Sequence, residues 1–506
     1  MGSSKKVASG VLWSTVHNVV NAVYGFISVP ILLNYFGKTE YGLIALAMSV
    51  NIYLRLMDLG FSSTNVRFFS SWLAKGNLTK TKRMFQTSLA FYGSVGLLNA
   101  IVIFIVSLFS YKIFHLGPEQ DAILKNLFYV LIVSAIVSWF SSCFDQLIKA
   151  TENVAWIQRC SLLPKFLQCI VLAITVLCAL NITSYFLLTT FSMFAVIPLY
   201  YRKIKREMPF VSFRPKWDLP MLREILPYCI NIFSFSIFQF SFHNLRPVFL
   251  GMQGSVESVA DFRILNGIIG IVSLFAGSFM STLLPSASKV VATENKNAYY
   301  KIAYDGTKYI TIVLCFCTFG MMTVGSEVIT MYVGPSYLSL IPWFNLWLLC
   351  TLAVHNQAIS SLILSGADIR AITYNTAVSA SIGLILSWIL IPYFQIGGVV
   401  IANVIYLLIQ LIFYYFYYWP KKMKINSAKV FTKSFLPYVL CGIVLYLAID
   451  NLYMLEFPVL ASFLLKGSIF ALVYIIFILI SLSKQDKAYI MSIIGKRKVG
   501  KIKGGR

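Results

Sequence analysis

Charge is what this sequence has least of. Only 12% of its 506 residues are Asp, Glu, Lys or Arg, where a soluble domain carries about 25%, so a soluble enzyme is excluded. Acids are scarcer still, 18 against 42 basic residues. Gly and Pro number only 29 and 16 while aromatic residues reach 15%, which excludes a collagen-like or disordered chain. The nine cysteines, Cys143, Cys160, Cys169, Cys178, Cys229, Cys315, Cys317, Cys350 and Cys441, lie in or beside apolar runs, and there are four histidines. No Cys/His spacing of the zinc type is present and no disulfide framework is indicated. Clustered acids, a Ser/His/Asp constellation and a phosphate-cradling Gly loop are missing too. The expectation is therefore no enzyme, no metal and no cofactor.

What is there is apolar: 58% of the chain. A spanning helix needs about 20 apolar residues, and the apolar runs predict an all-α polytopic membrane protein of about fourteen transmembrane helices. In the first half they fall at Val11 to Asn34, Tyr41 to Phe61, Met84 to Phe109, Ala122 to Leu147, Gln158 to Leu180, Ile182 to Tyr200 and Ile225 to Leu250. The second half gives Val259 to Ala287, Tyr309 to Thr330, Tyr337 to Leu364, Ala371 to Ile391, Ile396 to Trp419, Phe431 to Ile449 and Pro458 to Leu482. Lys5 and Lys6 precede the first run with no small-residue cleavage site after it, which reads as a retained anchor.

Lys and Arg concentrate in alternate connections, among them Arg202 to Arg206, Lys421 to Lys433 and the tail from Lys484 to Arg506, while Lys38 and Lys112 stand in the others. Because basic loops stay cytoplasmic, both termini are expected inside. The net charge of +24 is then topology, helped by anionic lipid, and not a sign of nucleic acid. The outer connections are short, the longest running from about Ser110 to Asp121, so no outer domain exists to host a polymerase or ligase reaction. The aromatic run Phe413 to Trp419, followed by Pro420, Lys421 and Lys422, reads as an interfacial belt with a positive anchor.

A charge in hydrocarbon costs at least about 2.5 kcal/mol, so charges within spans are the first functional candidates. Asn51, Arg55 and Asp58 fall on one face of the second span, and Arg55 can pair with Asp58 at i, i+3; a neutral ion pair and a cavity lining both fit. In the first span Ser14, Asn18, Asn21, Gly25 and Ser28 form a polar stripe with His17 beside it, fit for helix packing or a lumen lining. His17, His243 and His355 can titrate near neutrality, and with Asp58 are the candidate coupling or gating groups; a satisfied core histidine is the plainer reading of each. Arg246 and Arg263 flank the outer hairpin between the seventh and eighth spans, where cations are disfavoured, so each needs an anion, either Glu257 or Asp261 or a transported group. Lys165 and Lys466 lie in spans without an obvious acidic neighbour; they snorkel or, more weakly, touch a lipid diphosphate.

The stretch from Tyr35 through Gly37, Glu40 and Gly42 to Leu43, then Met57, Asp58, Leu59, Gly60, Phe61, and Asn65 to Phe68 resembles the start of O-antigen flippases. These form the polysaccharide-biosynthesis branch of the multidrug, oligosaccharidyl-lipid and polysaccharide exporter superfamily. Leu364 to Arg370 with Leu390, Ile391, Pro392 and Ile396 to Val399 is a second matching stretch, and Ile225 to Pro227 with Leu284 and Pro285 a third. The resemblance implies two pseudo-symmetric six-helix lobes around a central cavity, at 1–205 and 206–425, two further helices at 426–483 and a basic cytoplasmic tail at 484–506. A faint repeat agrees: Gly37, Glu40 and Tyr41 resemble Gly251 or Gly254, Glu257 and Phe262.

The cargo implied is an undecaprenyl-diphosphate-linked oligosaccharide, moved by alternating access from the cytoplasmic to the outer leaflet of a bacterial inner membrane. Membrane potential or a proton or sodium gradient would drive it, and membrane lipids, a polysaccharide polymerase and chain-length machinery would be partners. Arg55, Arg246 and Arg263, with Asn18, Asn21 and Asn51, are the expected contacts for the anionic head group. Where the family often has an acid in the seventh span this chain has His243, Asn244 and Arg246, a site suited to anions. The alternative is a multidrug antiporter of the same superfamily, which would want acidic cavity groups that are sparse here.

Overall fold

Inside hydrocarbon each backbone N–H and C=O must be satisfied within its own segment. Every element formed by the described residues is accordingly a helix. The computed structural model describes residues 2–151, 153–292, 295–366, 370–450 and 458–481; the basic tail expected at 484–506 lies outside them, as do Ala367, Asp368 and Ile369 of the second matching stretch. Among the described residues 11 helices are long and apolar enough to cross a membrane. All the apolar runs read from the sequence lie on helices, which extend past them at most ends. The Leu78–Ile113 helix has 36 residues, roughly 54 Å at 1.5 Å per residue, against a hydrocarbon thickness of about 30 Å.

Three breaks interrupt these helices; the first falls in the connection read between the first two runs, and the other two were not visible in the apolar pattern. The Gly2–Tyr53 helix is kinked at Gly37, whose φ of 81° and ψ of 170° suit glycine and clash with a Cβ. The second span does not run on as one helix towards Arg67. It tightens into a 3-10 turn over Leu54–Asp58, then Leu59 and Gly60 take left-handed φ values of 49° and 75° before the Phe61–Ala74 helix begins. The run read at Tyr309 to Thr330 is divided at Val324, where the Thr307–Thr323 helix ends and the Gly325–Val333 helix starts.

The chain divides into two compact units, residues 1–268 with 372–406, and residues 269–371 with 407–506. In the first, the Leu78–Ile113 and Pro118–Ala150 helices pair closely, and Phe85, Tyr92, Trp139 and Phe144 are buried between them. Tyr92 stacks on Trp139 at 5.8 Å and Phe85 on Phe144 at 6.1 Å. At their basic end, Arg83 Nε donates to Asp218 at 2.6 Å and Lys80 pairs with Glu224 at 3.2 Å. Asp218 also accepts from the Met221 N–H and so caps the Leu219–Gln253 helix. The Arg83 hydrogen bond holds its carboxyl below the usual carboxylate range. In the second unit the Thr307–Thr323 helix packs on the Leu436–Asp450 and Val459–Ser481 helices, with Phe319, Phe470 and Tyr474 buried.

One close approach fixes the first unit. A Cβ on Gly42 would stand 2.2 Å from the Val256 carbonyl oxygen, so the hairpins after the first and seventh spans meet with no room for a methyl group. Gly42→Ala should therefore force backbone apart and lower stability by about 2 kcal/mol, whereas Gly93→Ala, which meets nothing within 4 Å, should be neutral or stabilising. Thermal unfolding of the two variants in detergent checks this.

Candidate functional site

The turn at Leu54–Asp58 is built around one carboxylate. Asp58 Oδ2 accepts the Ser62 N–H at 3.1 Å, capping the Phe61–Ala74 helix, and Oδ1 accepts the Tyr92 hydroxyl at 2.8 Å. Tyr92 in turn accepts from Gln146 Nε2 at 2.7 Å, and the same nitrogen donates to Ser62 Oγ at 3.0 Å. Gln146 Oε1 accepts from Asn65 Nδ2 at 2.6 Å, and Asn65 Oδ1 from the Ser88 hydroxyl at 3.1 Å. Ser88, Asn65, Gln146 and Tyr92 are buried, and each donates towards the next, the chain ending on Asp58. A connected polar network of this kind rigidifies its surroundings.

The expected i, i+3 pair is corrected by this arrangement. With Asp58 turned to Tyr92 and Ser62, no ion pair with Arg55 forms among the described residues, and Arg55 is exposed. The reason is that both carboxylate oxygens are already taken, one by the Ser62 amide and one by the Tyr92 hydroxyl. Asn51 lies one turn before it, half-buried.

Asp261 and Glu257 were one of the two kinds of partner open to the outer arginines, a transported anion being the other. They meet the other hairpin: Lys38 pairs with Asp261 at 2.7 Å and the Thr39 hydroxyl donates to Glu257 at 2.8 Å. The two segments of the faint internal repeat are thus in direct contact. Arg246 is buried at 4% exposure, donates to Asn403 Oδ1 at 3.0 Å, lies 3.1 Å from His243 Nδ1, and sits over the Phe242 and Phe262 rings at 4.8 and 5.8 Å. Arg263 is half-buried and makes no ion pair with Asp261.

On the polar stripe of the first span, Asn18 is exposed and Asn21 half-buried, with Asn21 Nδ2 3.0 Å from a His17 ring nitrogen. His355 is buried, its Nδ1 2.8 Å from the Leu352 carbonyl and its Nε2 2.7 Å from the Tyr415 hydroxyl. It borders an apolar pocket of about 430 Å³ with Phe416, Phe431 and Phe435. Lys165 donates to Gln168 at 2.9 Å and lies over Tyr24 at 5.0 Å. Lys466 does have an acidic neighbour: it pairs with Glu327 at 2.6 Å, and the Ser462 and Ser326 hydroxyls also donate to that carboxylate. Among the described residues no group of three or more His, Cys, Asp or Glu is placed to hold a metal.

Sequence reasoning missed Tyr92, Asn65, Gln146, Asn403 and Glu327. The signal available was the cost of burying any polar group in a span, applied to amides and phenols as well as charges. Two outcomes follow. Gln146→Leu should strand its partners and cost about 2 kcal/mol of stability, read by chemical unfolding in detergent. Glu327→Gln and Lys466→Met should each destabilise by about 3 kcal/mol by leaving one buried charge, and the double variant should recover most of that loss; full additivity would mean the two do not interact.

The geometry can be set beside known proteins. By sequence the chain matches no curated protein. In fold it is similar to the lipid II flippase MurJ in an inward closed conformation, with a TM-score of 0.66 at 15% identity over 92% of this chain and 98% of that one. It is also similar to an inward-facing multidrug resistance MATE family transporter of the MOP superfamily, with a TM-score of 0.59 at 13% identity over 86% and 96% of the two chains. A Vibrio cholerae MATE transporter gives 0.50 at 14% identity over 84% and 97%. These likenesses establish the fold that the chain shares with them. Residues 7–291, more than half of the chain, match the model of the family described as polysaccharide biosynthesis protein, and the chain belongs to that family.

Proposed function

We propose that the protein is a flippase for an undecaprenyl-diphosphate-linked oligosaccharide, an O-antigen or other surface-polysaccharide repeat, moved from the cytoplasmic to the outer leaflet of a bacterial inner membrane by alternating access. The observation that carries the reading is Arg55: an exposed guanidinium near the end of a candidate membrane-crossing segment, Leu12–Asp58, with Asp58 committed elsewhere. Such a cation costs about 2.5–3.5 kcal/mol against lipid, and a water-filled path or an anionic cargo removes that cost. Diphosphate is suited to it because guanidinium presents paired donors to phosphate oxygens. Arg263, half-buried, is the next head-group contact and Arg246, buried, the last; Asn18, Asn21 and Asn51 would meet the sugars.

We assign fourteen spans in two six-helix lobes plus two further helices. In support, the kink at Gly37 divides the longest candidate span in two, and the Leu219–Gln253 and Val256–Ala292 helices lie where the seventh and eighth spans were expected. Both termini would be cytoplasmic. Outward movement of anionic cargo gains about 2.3 kcal/mol per charge per 100 mV from an inside-negative potential; a proton or sodium gradient is the other source, with Asp58, His17, His243 and His355 as coupling groups. Lys165 and Lys466 would be secondary diphosphate contacts, and a polymerase and chain-length machinery the partners downstream.

A multidrug antiporter is the competing reading, since solved transporters of that kind share the fold. Against it, Asp58, Asp261 and Glu327 are all engaged within the protein, which leaves none of these three for a cationic drug.

The test is the leaflet distribution of lipid-linked oligosaccharide in cells depleted of the protein and resupplied with intact or substituted chain. Depletion should build up the cytoplasmic-leaflet pool, and Arg55→Gln should fail to reverse it, by at least about tenfold, while reaching the membrane in normal amount. Arg55→Lys should rescue partly, because charge returns without the paired donors. Normal leaflets with reduced drug efflux would favour the antiporter.

A further inference from the structure

The second unit contains a cavity of about 660 Å³, within the size range of small-ligand sites, about 300–1,000 Å³. Five lysines line it, Lys301, Lys308, Lys424, Lys429 and Lys433, with Asp305 as the only acid among the lining residues. The lysines come from three places: the start of the Lys296–Thr323 span, the connection after the Ile396–Lys422 span, and the start of the Ser427–Asp450 span. Three candidate spans therefore end at this void. Lys308 follows Lys301 by two helical turns, roughly 10 Å, so the charge extends along the wall of the void from the end of that candidate span.

Three hydrogen bonds hold the walls. The Ser434 hydroxyl donates to the Tyr304 carbonyl at 2.9 Å, the Asn426 N–H to the Tyr304 hydroxyl at 3.1 Å, and the Tyr300 hydroxyl to the Lys424 carbonyl at 3.4 Å. Two wall segments, Ile302–Gly306 and Val430–Phe435, are π-helical, a form enriched at functional sites. Lys429 lies over the Tyr304 ring at 4.3 Å. Among the described residues Lys301, Lys424, Lys429 and Lys433 have no carboxylate within ion-pair distance. Five lysines against the single carboxylate of Asp305 leave the lining with an excess of positive charge, which favours an anion.

We infer that this cavity binds the phosphate headgroup of an anionic phospholipid at the basic face of the membrane. Basic pockets between transmembrane helices take such headgroups, with about 1 kcal/mol per Lys or Arg near the surface, and tyrosines at the same level suit the interface. The site is separate from Arg55, Arg246 and Arg263 and does not rest on the identity of the transported cargo. A soluble polyphosphate shares the chemistry but has no reason to need a pocket opening at span ends.

Native mass spectrometry of the full chain tests this with phosphatidylglycerol and phosphatidylcholine of the same acyl chains, and separately with inorganic pyrophosphate. The intact protein should retain phosphatidylglycerol over phosphatidylcholine. Lys301→Gln/Lys429→Gln/Lys433→Gln should lose that retention by at least about tenfold at unchanged melting temperature, while Arg202→Gln/Lys205→Gln/Arg206→Gln, on another basic segment, should change it less than about twofold. Displacement of bound phosphatidylglycerol by pyrophosphate would place the phosphate in the cavity. Equal losses in the two triple variants, no preference between the lipids, or pyrophosphate binding without lipid retention would each overturn the assignment. Should the cavity variant fail to fold, Lys433→Glu alone serves, with retention expected to fall in the same direction.

Discussion

A carboxylate in an apolar slab has to find its hydrogen bonds inside the protein, and Asp58 finds them by ending one helix and starting the next. Its two oxygens take the Ser62 amide and the Tyr92 phenol, so the 3-10 turn, the left-handed Leu59–Gly60 pair and the Phe61–Ala74 helix are held at one point. Left-handed backbone is uncommon at a residue such as Leu59 and persists where surroundings over-determine it. The Tyr92–Gln146–Asn65–Ser88 chain provides that determination from the Leu78–Ile113 and Pro118–Ala150 helices. Arg55 stays exposed beside a carboxylate whose two oxygens are already engaged.

The hairpins obey a related rule. Gly42 allows the backbone at Val256 to approach, and Lys38 and Thr39 then reach Asp261 and Glu257. A cation and a carboxylate that would each repel the membrane edge become one neutral, partly buried pair. Arg246 is handled by other means. It is surrounded by an amide oxygen, a histidine nitrogen and two aromatic faces, an environment that tolerates a guanidinium because its charge is delocalised and weakly hydrated.

Apolar length carries across from sequence to structure almost unchanged, since hydrocarbon thickness dictates it, and so the runs at Ile182 to Tyr200 or Ile396 to Trp419 lie on helices. Breaks do not carry across so well. The pause at Val324 lies between residues as apolar as their neighbours, and the turn after Asp58 reads as a continuous amphipathic face. Pairing was least legible where partners are far apart in the chain. Glu327 and Lys466 are 139 positions apart and Asn65 and Gln146 81, distances at which periodicity says nothing. The motif Gly37, Thr39, Glu40, Gly42 was recognisable as a family resemblance, yet its physical purpose, a steric seat for the second hairpin, required coordinates.

The basic residues divide by chemistry as well as by place. Three arginines, Arg55, Arg246 and Arg263, lie on helical elements away from the basic connections, where a weakly hydrated planar cation can be held by aromatic faces or offered to paired phosphate oxygens. Lysines gather at span ends, at Lys301, Lys424, Lys429 and Lys433, where a strongly hydrated amine on a flexible stem can stay near water. Lysines within candidate spans are met by polar partners: Lys466 by Glu327, whose carboxylate two serine hydroxyls surround, and Lys165 by Gln168. A net charge of +24 is therefore not one property of this chain. One part of it lies in the connections between helices, one part on the helical elements that carry Arg55, Arg246 and Arg263, and one part around the cavity lined by Lys301, Lys424, Lys429 and Lys433.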